Sequence, residues 1–112
     1  MKQPLPESFR VFQGDYPSIW KSFSDLAQKC HEEGGPLDEK SRRLVKLALA
    51  IGARHEGAVH SAVRQALDGG VSKEEMLHVA ILGITTLGWP AANAAVTWIR
   101  DLAEEPVTSG PG

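Results

Sequence analysis

At 112 residues, with 42% hydrophobic and 23% charged residues, the chain has the size and composition of one ordinary soluble domain with a modest core. A net charge of −2 at pH 7 leaves no basic run to neutralise a phosphate backbone, which argues against nucleic acid as a partner. The longest apolar runs fall short of the roughly 20 residues that a bilayer span needs, and Met1-Lys2 leads into no signal-peptide core, so a cytoplasmic protein without membrane contact is expected.

Residues 1–14 carry two prolines and a glycine and read as an extended arm able to dock on a neighbour through Phe9 and Phe12. Asp15 is a candidate cap, and Pro17 suits the first turn of a helix in which Tyr16, Ile19, Trp20, Phe23, Leu26, Ala27 and Cys30 keep helical spacing up to Gly34-Gly35-Pro36. Cys30 lies on the apolar face and reads as a small buried hydrophobe. As the only cysteine it allows neither an internal disulfide nor a Cys-x-x-Cys redox pair.

Asp38 can cap the next helix. From Val45 through Ala53 only Lys46 and Gly52 interrupt the apolar residues, which predicts a central helix buried on nearly every side. The run stops at a polar corner, Arg54-His55-Glu56, and a second helical pattern starts at once. There Val59, Ala62, Val63 and Ala66 form an apolar stripe, while Glu56, His60 and Arg64 follow one another at i+4 on a polar line. Asp68-Gly69-Gly70 closes this helix, and Ser72-Lys73-Glu74-Glu75 is a capping box that opens another through Met76, Val79, Ala80 and Gly83 to near Gly88. Pro90 then suits the first turn of a last helix, whose stripe of Ala91, Ala94, Ala95 and Trp98 is mostly small. The tail from Glu105 is expected to be disordered, leaving 15–104 as the helical domain. No segment alternates like a strand, so the expected fold is all-α, with five helices. Trp20, Trp89 and Trp98 add large surfaces to cover, and self-association is the expected remedy.

The corner carries the concentrated chemistry. His55, Glu56 and His60 suggest zinc, but HExxH needs its histidines at i and i+4. Here the spacing is i+5, which sets two helical imidazoles roughly 140° apart, so sharing a metal would require His55 to stand outside the helix as its cap. No metal and no cofactor are expected. Glu56, one turn before His60, can hydrogen-bond the imidazole and fix its tautomer, which prepares a histidine for proton transfer. The competing reading leaves Glu56 and Arg64 as solvated residues of an outer face. Arg43 and Lys46 share a face of the preceding helix and offer a counter-charge to a carboxylate, although Arg43 can instead pair with Glu39 one turn earlier. His31 and His78 read as structural or exposed.

The helix Leu-Asp-Glu-Lys-x-Arg-Arg-Leu-Val from Leu37, the turn VRQALDGG, the Ser-x-Glu-Glu cap and Gly88-Trp89-Pro90-Ala91-Ala92 stand in an order and spacing that resemble the carboxymuconolactone decarboxylase and alkylhydroperoxidase AhpD-like superfamily over about residues 37–100. The resemblance implies a small helical bundle that assembles into a homo-oligomer, often a hexamer, with a pocket near subunit boundaries and the Arg43 and Lys46 face turned toward it. The peroxidase branch carries a Cys-x-x-Cys pair where this chain has His55 and Ala58, a glutamate where it has Arg43, and a histidine where it has Ala62. The corner histidine of the decarboxylase branch also falls on Ala62.

The resulting expectation is a cysteine-pair-free member that binds a small organic acid. It would catalyse an acid/base step such as decarboxylation or isomerisation, with His60 as base, Glu56 as orienter, Arg43 and Lys46 as anion site, and His55 lining the pocket. A non-catalytic oligomeric binding or scaffold module is the alternative. Antioxidant peroxidase activity is disfavoured by the missing thiols.

Overall fold

The structure, a computed structural model, describes residues 5–103. The expected tail from Glu105 lies outside them. Six helices of nine residues or more and one single-turn helix follow in order: α1 Glu7–Asp15, α2 Pro17–Glu33, α3 Glu39–Ala53, α4 Glu56–Asp68, α5 Lys73–Leu82, α6 Ile84–Leu87 and α7 Trp89–Ala103. No strand occurs among the described residues, so the all-α expectation holds. The chain divides into two compact units at the Leu37–Asp38 boundary, just past Gly34-Gly35-Pro36.

The first unit corrects three expectations. The arm is not extended, because Pro6 sets an extended N-cap (φ −60°, ψ 155°) and Glu7 puts a carboxylate in the first turn of α1, where the helix dipole favours it. Asp15 ends α1 instead of capping α2, and Tyr16 takes the cap position while its N–H bonds the carbonyl of Phe12 at 2.8 Å. Phe9 and Phe12 pack on Trp20, with ring centroids 5.9 and 6.4 Å apart. Cys30 is exposed, since neither α1 nor α2 contains a buried residue. Helical spacing groups the apolar residues of α2 on one face but does not say whether anything covers that face.

In the second unit the caps of α3 and α5 are those the sequence signals. The Asp38 carboxylate accepts the Ser41 N–H at 2.8 Å, and Ser72 with Glu75 completes the capping box. Gly70, at φ 84°, turns the chain out of α4, and Gly88, at φ 98°, separates α6 from α7. Leu47, Ile51, Val59, Val63, Met76 and Ile99 form the core, where α3 meets α4 and α5 while α7 lies against α4, α5 and α6. The buried row of α7 runs through Ala92, Ala95, Ile99 and Ala103, so of the expected stripe only Ala95 is buried, while Ala91, Ala94 and Trp98 are half-buried beside it. The central helix, however, is not enclosed. Leu49 is 64% and Val45 44% exposed, because α3 has neighbours on one side and its apolar run is longer than that side needs.

Three exposed charges make stability depend on pH. The backbone N–H and the hydroxyl of Ser41 hold Asp38 below the usual carboxylate range. Lys40, whose Nζ lies 2.8 Å from Glu75, lowers the Glu75 pKa with help from the Ser72 N–H, and its own pKa is raised by Glu75. The two depressed carboxylates contribute stability above their unfolded pKa and lose it as pH falls through the folded values; the raised lysine contributes below its unfolded pKa and loses it as pH rises through the folded one. Urea midpoints are therefore expected to be flat near neutrality and to fall on both sides. In Glu75→Gln both limbs should be shallower, and a variant whose acid limb matched wild type would show that Glu75 is not linked to folding.

Candidate functional site

The polar corner is built by one left-handed residue. Arg54 adopts φ 57° and ψ 38°, and its N–H closes onto the Ile51 carbonyl at 2.9 Å, which ends α3 and turns the chain directly into α4. His55 follows in extended conformation as the N-cap of α4, its Nδ1 accepting the Ala58 N–H at 3.0 Å. A neutral His55 thus carries its proton on Nε2. Its ring lies over Gly57, where an added Cβ would come within 3.1 Å of Cε1.

His60 stands one turn further on and is half-buried. Its Nε2 lies 2.9 Å from Oδ2 of Asp101 on α7 and 3.8 Å from Oε2 of Glu56. The first is a hydrogen bond and the second an ion-pair distance, so the contact expected from Glu56 is present but longer than the one from Asp101. Asp101 was not singled out from the sequence. It lies 41 positions from His60, and the available signal was that α7 contains no other carboxylate.

The polar line of α4 does not stay at the surface. Each i+4 step advances about 400° around the helix, so the row drifts by about 40° per turn. Glu56 is exposed, His60 half-buried and Arg64 only 8% exposed. The solvated reading therefore fails for Arg64, whose pKa is lowered by burial.

The other expected site residues are dispersed. Arg43 donates from Nε to Glu39 at 2.7 Å and from Nη1 to Gln65 at 2.8 Å, so the competing ion pair exists. Lys46 is exposed. The partners of His60 lie on α4 and α7, whereas those of Arg43 are Glu39 and Gln65. The ligand atoms of Glu56, His60 and Asp101 lie within 4.8 Å of one another, and this mixed carboxylate and imidazole set is the one among the described residues able to converge on a divalent cation. His55 does stand outside the helical body, but its Nδ1 serves the cap.

A separate apolar pocket of about 450 Å³ opens between α3, α5 and α6, lined by residues that include Val45, Ala48, Ile51, Leu82, Thr86 and Leu87. Its volume falls within the roughly 300–1,000 Å³ common for small-molecule sites. At about 100° per residue, the α3 positions that line it centre roughly 150° around the helix from Lys46. None of the expected site residues lines it.

The family model described as "Carboxymuconolactone decarboxylase family" matches residues 17–101. Among solved structures the chain is similar to the apo form of a carboxymuconolactone decarboxylase family protein from Legionella pneumophila, with a TM-score of 0.70 and 23% identity over 87% of this chain and 88% of that one. No curated protein sequence matches.

Proposed function

This chain belongs to the carboxymuconolactone decarboxylase family, and on that premise we propose that it binds a small organic acid and acts on it by an acid/base step, with His60 as the base. The supporting observation is the 2.9 Å contact between His60 Nε2 and Asp101. An ionised carboxylate can only accept, so a neutral His60 in this contact carries its proton on Nε2 and presents the Nδ1 lone pair. Asp101, with Glu56 at longer range, then orients the ring and stabilises the imidazolium formed when Nδ1 takes a proton. In an isomerisation the same nitrogen returns that proton to a neighbouring carbon. In a decarboxylation the imidazolium delivers it to the carbanion left as carbon dioxide departs.

Two carboxylates flank the imidazole, so the charge of an organic anion must be met elsewhere. Arg43 and Lys46 remain the proposed anion site. A substrate carboxylate at Arg43 competes with Glu39, and an exposed pair of this kind is worth at most about 1 kcal/mol. Screening a wide panel of small organic acids for a rise in melting temperature tests the reading, because a ligand that binds only the native state stabilises it. No stabilisation by any member of the panel would count decisively against it.

A second reading, an oligomeric binding or scaffold module, is supported by the first unit. Tyr16, Ile19, Phe23 and Leu26 of the α2 region are each more than half exposed, and nothing in α1 or α2 is buried. Such a face suits burial against another copy. A mass of several chains is expected by light scattering at micromolar concentration, reduced by Leu26→Glu; a monomeric wild type would remove this reading. The peroxidase alternative makes a different demand, a second thiol to form a reducible disulfide with the first. Cys30 has none within its own chain. No dithiol-dependent peroxide consumption is expected, and turnover lost in Cys30→Ser would overturn that.

A further inference from the structure

We propose that the pocket between α3, α5 and α6 binds an organic monocarboxylate with an apolar body, and that Arg54 supplies its counter-charge. The proposal rests on the reading of the chain as a binder of organic acids, and it names a second acid site, apart from His60, Arg43 and Lys46, with its own cavity and cation.

Arg54 occupies a position that favours glycine. It is the one non-glycine residue with positive φ among the described residues, at a helix end where glycine would adopt the same conformation without strain. A strained side chain at such a point suggests that the side chain itself has a use. Its Nη2 donates to the carbonyl of Leu87 at 3.2 Å, and Leu87 lines the pocket together with Ile51 and Gly52, close neighbours of Arg54 in sequence. The guanidinium is therefore tethered at the rim. A guanidinium has five N–H donors, and the Leu87 contact uses one of them. The exposed remainder can grip a carboxylate with two parallel hydrogen bonds.

The walls fit the other end of such a ligand. Thr86 is the one residue with a polar side chain among those that line the cavity, and no charged residue lines it. A free acid with a hydrocarbon or aromatic body can bury that body against Val45, Ala48 and Leu82 and leave its headgroup with Arg54. Charge complementarity at the rim favours this occupant over a purely apolar helix, which would leave the guanidinium unmatched. Arg43 and Lys46 lie on other faces of α3 and do not line the cavity.

Calorimetry with octanoate at submicellar concentration, and with octanol as its neutral counterpart, tests the assignment on the full chain. Wild type should bind one octanoate per chain, and octanol roughly tenfold more weakly, as expected for the loss of one charge-assisted contact. Arg54→Gln should lose about the same factor for octanoate and leave octanol unchanged. Ala48→Phe, checked for native helicity, should abolish both. Equal octanoate affinity in wild type and Arg54→Gln would overturn the role of Arg54 while leaving the organic-acid reading intact. Failure of wild type to bind octanoate, with other organic acids still raising its melting temperature, would overturn the pocket alone; failure of every acid would overturn both. An oligomer that binds no octanoate and dissociates in Leu82→Glu would show a second copy filling the cavity, which also defeats the proposal.

Discussion

Leu47→Ala is expected to lower the stability of the native state by about 2–5 kcal/mol, measured as a shift in the urea midpoint at constant slope. Leu47 is fully buried in the core on α3. Truncation there removes its transfer free energy and leaves a cavity that helices held by other contacts cannot close. Against a total stability of roughly 5–15 kcal/mol for a domain of this size, the loss is large. Leu49, two residues along the same apolar run, is 64% exposed, and Leu49→Ala should stay within about 0.5 kcal/mol of wild type. The pair measures whether α3 is one-sided. Equal losses at both positions would mean that another surface, such as a second copy, covers Leu49.

The second large effect is on chemistry. Once an acid that binds and turns over is in hand, His60→Gln should reduce kcat by about 10²- to 10⁴-fold, the usual contribution of a positioned general base. Asp101→Asn should lower kcat more than Glu56→Gln does, because Asp101 is at 2.9 Å from Nε2 and Glu56 at 3.8 Å. KM should change little in all three, since these groups act on the proton in flight more than on the bound acid. If Glu56→Gln proves the more damaging, Glu56 and not Asp101 is the main orienter, with the proton still on Nε2, since both carboxylates lie against that nitrogen.

The Asp38 and Ser72 caps, the corner and the helical class were legible because each depends on residues within one or two turns of one another. Asp38 and Ser41 are three apart, and Ser72 and Glu75 likewise; the His55 cap on Ala58 is equally local but was not expected as such. What was illegible is set by partners distant in sequence. Asp101 meets His60 through the seam between α4 and α7, and no local pattern couples positions so far apart. The apolar faces of α2 and α3 were identifiable, yet whether anything lies against them is a property of neighbours. That is why Cys30 and Leu49 proved exposed while Arg64 proved buried. The α1 helix was missed for a different reason: two prolines near the start suggested an extended arm, although proline just ahead of a helix is compatible with its first turn.

The seam between α4 and α7 also bears on the order in which the molecule assembles. The corner joins α3 to α4 through only Arg54 and His55, so that pair can close with almost no loop entropy, whereas the contact between His60 and Asp101 spans 41 positions. On loop entropy alone this contact is expected to form after the corner, and partial unfolding that releases α7 would separate His60 from Asp101 while the corner and its histidine cap still stood. If His60 acts as proposed, a chain frayed along α7 should lose activity before it loses the rest of its fold.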